Sequence, residues 1–221
     1  MKKSLLLLIL SVLIQVNCFS QLTVTNNSAA TALAQTIAGN GVTVSNATIN
    51  CPALSSGTFS YAGGNLGLTN GILLTTGYAS EAASAGSFFA SESTGNSVND
   101  PDLTTIASGT LNDVCLIAFD FVPVCNSLSL TFVFGSEEYP TFVNSTFNDA
   151  FGIFLSGPNP SGGSYTSQNI GVLPNGIAVS INNVNASTNS SYFHDNYTTP
   201  NSDIAYDGYT VSLQTNPNFY S

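Results

Sequence analysis

Val114-Cys115-Leu116-Ile117-Ala118-Phe119-Asp120-Phe121-Val122-Pro123, followed by Ser127-Leu128-Ser129-Leu130-Thr131-Phe132-Val133-Phe134, is the stretch that decides the fold class. Residues 114–122 are apolar at nearly every position and rich in aromatic and branched side chains, which predicts a strand covered on both faces. Pro123 cannot donate to a ladder and ends that strand. The second run alternates, so Leu128, Leu130, Phe132 and Phe134 share one face of a half-buried strand.

Outward from this pair the same reading repeats. Downstream, strands are expected over residues 150–155, closed by Gly157-Pro158, then over 177–181 and 209–213. Upstream, residues 22–25, 42–49 and 71–77 read as strands. The run Ala29-Ala30-Thr31-Ala32-Leu33-Ala34-Gln35-Thr36-Ile37-Ala38 reads as the one helix, with Ser28 as N-cap and Gly39 just past its end. Residues 79–99 are Ser/Ala/Gly-rich, lack periodicity and read as a long surface loop. The expected fold is all-β, a β-sandwich of jelly-roll or Ig-like kind with one short N-terminal helix. Neither an internal repeat nor a linker breaks the run, so residues 21–221 form one domain.

Before that domain, Lys2 and Lys3 precede an apolar segment over residues 5–16 and small residues ahead of Gln21. This is the pattern of a cleaved signal peptide over residues 1–20, too short in its apolar part for a membrane span. The competing reading, a lipoprotein signal with Cys18 lipidated, fits poorly because Gln15-Val16-Asn17 lacks the small-residue approach. The mature chain is therefore expected to be secreted or held at the outer cell surface, without a membrane span.

Charge narrows the function classes. Lys2 and Lys3 are the only basic side chains apart from one histidine, against 12 Asp and Glu. Nucleic-acid binding needs clustered Lys and Arg, so it is excluded for the mature chain. The acids must be solvated, held by N–H and O–H donors, or bound to a metal. Three cysteines remain, Cys51, Cys115 and Cys125. In an oxidising compartment one bridge and one free thiol are expected. The choice is Cys115–Cys125, which flank the connection between two strands expected to pair and leave Cys51 free; the alternatives are three reduced cysteines or a bridge from Cys51 to either of the others.

The sharpest motif is Gly135-Ser136-Glu137-Glu138-Tyr139-Pro140, with Phe147-Asn148-Asp149-Ala150-Phe151-Gly152 close behind. Both acidic groups lie on one connection between successive strands. Oxygens from Glu137, Glu138, Asn148 and Asp149 suit Ca²⁺, which takes roughly six to eight oxygen ligands. Asp100 and Asp102, on an expected turn at Asn99-Asp100-Pro101-Asp102-Leu103, are further ligand candidates. The plainer alternative is that these acids cap turns. Asp120, inside the apolar run, is expected to point to solvent.

Catalytic constellations are absent from the sequence pattern. His194 is the only histidine and no G-x-S-x-G elbow occurs, so a serine hydrolase lacks its parts. Adjacent Glu137 and Glu138 would point to opposite faces of an extended chain, whereas a glycosidase pair must flank one bond at roughly 5 to 9.5 Å.

Taken in order, the motifs resemble the choice-of-anchor L domain family. The stretches that carry the resemblance are Val42-Thr43-Val44-Ser45-Asn46-Ala47-Thr48, Leu68-Thr69-Asn70-Gly71-Ile72-Leu73-Leu74-Thr75-Thr76-Gly77 and Asp100-Pro101-Asp102-Leu103. The most specific block runs from Phe119-Asp120-Phe121-Val122-Pro123 through Gly135-Ser136-Glu137-Glu138-Tyr139-Pro140 to Gly157-Pro158. Val179-Ser180-Ile181-Asn182-Asn183 and Tyr206-Asp207-Gly208-Tyr209-Thr210 follow. The resemblance implies a secreted or surface module of Bacteroidetes-type bacteria, often in proteins that use type IX secretion, and it implies no enzymatic activity. Family members continue with further strands after the position of Leu213, so the domain is expected to be truncated at its C-terminal end.

The expected function is a noncatalytic, adhesin-like extracellular module, stabilised by calcium, whose partner is an extracellular protein or a glycan. The alternative is a secreted carbohydrate-binding, lectin-like domain or a carbohydrate-active hydrolase. A concave acidic face lined by Tyr and Phe would favour sugar.

Overall fold

A computed structural model of the chain describes residues 22–86, 89–90, 92–95, 98–107, 109–123, 128–159 and 161–215. The expected signal peptide and Cys125 lie outside the described residues. The chain opens with β1 (Leu22–Asn26), α1 (Ala30–Ala38), β2 (Val42–Asn50), β3 (Ser56–Tyr61) and β4 (Asn70–Leu74). A 3₁₀ turn (Ala79–Ala83) and α2 (Pro101–Ala107) lead to β5 (Leu116–Pro123). Short strands follow: β6 (Thr131–Phe132), β7 (Gly135–Ser136), β8 (Ala150–Phe151), β9 (Phe154–Pro158), β10 (Ser164–Asn169) and β11 (Val179–Ser180). The last elements are a 3₁₀ turn (Ser190–Tyr192), β12 (Phe193–Asp195), β13 (Gly208–Thr210) and β14 (Leu213–Gln214).

The class is all-β. Every ladder is antiparallel, ordered β1-β3-β4, β2-β5, β14-β6, β12-β13-β7, β11-β8 and β10-β9. Among the described residues no sheet exceeds three strands, narrower than a jelly-roll or Ig-like layer. Among them, too, no helix is long and apolar enough to cross a membrane.

The alternation read over residues 128–134 has a clear consequence. Phe132 and Phe134 enter one core with Tyr139, Leu173, Val179, Ile181, Val184 and Leu213. Val133, between them, faces a second core built on Leu22, Tyr61, Ala82, Ile204 and Tyr209. On the neighbouring β13, Tyr209 joins the second core. A Cβ on Gly208 would instead lie 2.6 Å from both Tyr139 and Phe193 on the first side. Period-two geometry thus makes this part of the chain a partition between two apolar clusters.

Four local expectations are corrected. The run over residues 114–122 is not covered on both faces: Ala118, Asp120 and Val122 are exposed, because β5 pairs only with β2 in a two-stranded ribbon. The Asn99–Leu103 turn is instead the start of a second helix, α2. Pro101 supplies a fixed φ at its first position, and Asp100 Oδ1 accepts the Leu103 N–H at 2.8 Å. The N-cap of α1 is Ala29 and not Ser28, and no side chain caps the helix; Asn27 Oδ1 accepts the Ala29 N–H at 2.8 Å in an Asx turn that leads into it. Gly39 does follow the helix, at φ 71°.

The fourth correction is the disulfide, which joins Cys51 to Cys115 and not Cys115 to Cys125. The reason is register. Asn50 lies opposite Leu116 at the end of the β2-β5 ladder, so one further step brings Cys51 opposite Cys115, with Cα atoms 4.0 Å apart. Sequence spacing favoured the nearer cysteine, whereas strand pairing chose one 64 residues away.

Candidate functional site

The acidic connection over residues 137–149 hangs between β7 and β8 and is held at both ends. The Ser136 hydroxyl donates to Asp149 Oδ2 at 2.6 Å and accepts the Glu138 N–H at 2.9 Å. The Asp149 carbonyl accepts the Ile181 N–H at 3.1 Å. Tyr139 anchors the middle: it is buried in the first core, its hydroxyl donates to the Val184 carbonyl, and its peptide bond to Pro140 is cis. Glu137 and Glu138, the two residues just before Tyr139, lie in two different environments.

Glu138 and Asp149 form the first. Burial raises both carboxyls, Asp149 presses Glu138 further up, and the Ser136 hydroxyl partly relieves Asp149. Burial also holds the Tyr139 phenol well above its ordinary range, with Asp149 adding to the effect.

Glu137 belongs to the second. Its carboxyl is pushed up to about 7, first by burial and then by Asp207, Glu138 and Glu81, while the Ala90 N–H bond to Oε1 at 3.4 Å opposes the shift. Glu81, on the first 3₁₀ turn, is raised by burial and by Glu92. Tyr206 stands beside this group, its hydroxyl 3.3 Å from Thr75 Oγ1, and its phenol is raised chiefly by burial. Glu137 Oε2 and Glu81 Oε2 are both shut off from solvent and have no hydrogen-bond partner among the described residues. These are two buried carboxylate oxygens without donors.

The six residues expected to ligate a metal are not gathered as one set. Glu137, Glu138 and Asp149 are neighbours, on the two sides just described. Asn148 is committed elsewhere: its amide donates to the Ala107 carbonyl at 3.0 Å and its Oδ1 accepts the Asn182 N–H at 3.2 Å, tying α2 to the turn after β11. Asp100 caps α2, and Asp102 lies in that helix's first turn. Among the described residues no group of three or more His, Cys, Asp or Glu is placed to hold a metal ion. Asp120 is exposed as expected and accepts the Asn46 amide at 2.6 Å. His194 is exposed on β12, against the Tyr209 ring at 5.3 Å.

Glu81 and Asp207 were missed as members. Glu81 sits in the stretch read as a long surface loop, where the structure instead places a 3₁₀ turn with Ala79 and Ala82 buried. Asp207 sits beside the glycine that lets β13 pass the Tyr139 and Phe193 rings. The one available signal was compositional: every acid in a chain segment without Lys or Arg deserved the same question.

The chain is all-β, with two short helices and a disulfide joining the residue after β2 to the residue before β5. The chain belongs to the Choice-of-anchor L domain family, whose pattern matches residues 20–219. Such domains are typically noncatalytic modules of surface or secreted proteins. No curated protein and no solved structure matches the chain.

Proposed function

We propose that this chain is a noncatalytic, adhesin-like module of a protein exported by the type IX route, and that calcium bound at its acidic loops stabilises it. The observation that supports calcium is the pair of enclosed, unpartnered oxygens, Glu81 Oε2 and Glu137 Oε2. No Lys or Arg exists beyond Lys3 to neutralise them. A buried carboxylate without a partner either takes a proton or takes a cation. The upward shift of Glu137 describes the first outcome for the metal-free chain. Calcium, a hard cation that accepts carboxylates, carbonyls and water in flexible geometry, supplies the second. Glu81 and Glu137 would be its carboxylate ligands; backbone carbonyls and water complete the shell. Glu138 and Asp149 would feel the ion as neighbours.

The test is a melting curve of the mature chain in calcium and in chelator. A ligand at a hundredfold its Kd adds about 2.7 kcal/mol to folding. That corresponds to a rise of roughly 5–11 °C for a chain of this size. Glu137→Gln is expected to remove most of the rise. Equal melting temperatures, together with no bound metal by elemental analysis, would reject the calcium reading.

A further inference from the structure

On the first-core side of β13 lies a cleft of about 170 Å³, between the Tyr139-Pro140 turn, the 185–187 turn and β12. Its walls are mostly apolar. The Tyr139 and Phe193 rings, with centroids 4.8 Å apart, line it together with Val143 and Ala186. Asp195 and Asp207 are its two acidic lining residues.

We propose that this cleft receives a lysine side chain of a partner protein, its stem lying along Phe193 and Val143 and its ammonium meeting Asp207. The proposal does not depend on calcium. It follows from asking which polar groups in the cleft are still free. Asn185 has none: its amide donates to the carbonyls of Ile181 and Asn182, and its Oδ1 accepts the N–H groups of Ser187 and Thr188 at 2.9 Å each. The Tyr139 hydroxyl is turned away to Val184. Asp195 accepts the Tyr197 and Thr198 N–H groups and the Thr198 hydroxyl, the last at 2.6 Å. Asp207 is different. Its carboxylate makes no hydrogen bond among the described residues, although the side chain is half-buried.

That inventory separates the ligand classes. A sugar needs several donors and acceptors placed around it, and this cleft offers one free carboxylate and the Ser187 hydroxyl. A cation on an apolar stem needs apolar walls and one unpaired anion, which are both present. Lysine buries its methylenes while its head keeps a polar partner, and the Phe193 ring adds attraction for the cation. Charge complementarity points the same way. Glu137 and Asp195 add negative potential beside Asp207, and burial with Asp195 already raises the Asp207 carboxyl, a cost that an incoming ammonium would relieve.

The test is an NMR titration of the ¹⁵N-labelled mature chain, in chelator, with Nα-acetyl-lysine N-methylamide. Saturable shifts are expected at residues 139–143, 185–187, 193–195 and 207. The norleucine analogue, which keeps the stem and lacks the charge, is expected to produce none, and the arginine analogue weaker ones. Asp207→Asn should weaken lysine binding at least fivefold, while Asp203→Asn, an equal loss of charge outside the cleft, should leave it unchanged. Ala186→Phe fills the opening without touching either acid and should abolish binding, so the proposal stays testable if Asp207→Asn folds poorly. Equal shifts with norleucine, saturation by monosaccharides in place of lysine, equal weakening by Asp203→Asn, or shifts spread over Asp100 and Asp120 would each overturn it.

Discussion

Removing the Cys51–Cys115 bridge is the sharpest test of how this fold is held. The bond closes a loop with a sequence separation of 64 residues and extends the β2-β5 ladder by one position. In the chain-entropy description, opening a loop of that length releases enough freedom in the unfolded chain to cost about 4 kcal/mol. For a domain near this size, each kcal/mol moves the midpoint by roughly 2–4 °C, so the loss is about 8–16 °C. The variant to use is Cys51→Ala with Cys115→Ala, which leaves neither thiol to seek Cys125. Urea melts of this variant and of the parent, each with and without reductant, are the assay. Reduced parent and variant should coincide, both well below the oxidised parent, and the variant's urea slope should rise because its unfolded chain is more expanded. A stability loss below about 1 kcal/mol would refute the claim that the long loop matters. A non-reducing peptide map joining Cys115 to Cys125 would refute the register argument itself.

Two further outcomes follow from the site. In chelator, the Glu137 carboxyl binds its proton more tightly in the folded chain, at about 7, than at the ordinary 4.5 of the unfolded chain. Its contribution therefore favours folding at acid pH and is lost as pH rises from 4.5 through about 7. After discounting for solvent screening this amounts to about 1–2 kcal/mol, measurable by urea melts at pH 5 and pH 8; Glu137→Gln should flatten the profile, and a profile rising toward pH 8 would contradict the burial of that carboxyl. Gly208→Ala would place a methyl 2.6 Å from both the Tyr139 and Phe193 rings, which face each other in the core. The expected cost is about 1–3 kcal/mol by overpacking, read as a lowered melting temperature, and a neutral result would mean that the rings are free to separate.

The sequence announced the strands that alternate and misjudged those that do not. Phe132 and Phe134 could be assigned to one face because period two has a single physical reading. The apolar run of β5 had two readings, since an all-apolar strand can be covered twice or be an exposed ribbon, and only its pairing partner decides. Helix α2 was hidden for a related reason. Asp100-Pro101 starts a turn and a helix with the same chemistry, a side-chain oxygen for an orphan N–H and a fixed φ, and seven residues show too little periodicity to choose. The disulfide failed because proximity along the chain is a weak guide to pairing across a ladder.

The acidic site was half legible, and the reason lies in the charge balance. Without Lys or Arg after Lys3, each acid has to find another way to be satisfied. Most do so locally. Asp120 takes an asparagine amide, Asp113 takes the Ser93 and Thr94 hydroxyls, Asp195 takes Thr198, and Asp149 takes Ser136. Asp100 takes a backbone N–H, and Asp102 lies at a helix start where the dipole favours it. Asp203 takes the Ser202 hydroxyl and Glu92 is exposed, which leaves Glu81, Glu137, Glu138 and Asp207, all partly buried and without a side-chain donor among the described residues. The other three all press on Glu137 electrostatically, Glu81 and Asp207 from 56 and 70 residues away along the chain. Local pattern could find Glu137 and Glu138, which sit in a motif, but not the convergence of Glu81 and Asp207 upon them, which only the ladder β12-β13-β7 and the 3₁₀ turn bring about. Any cation this module holds, whether calcium or a partner's ammonium, has its reason to bind in that uncompensated remainder.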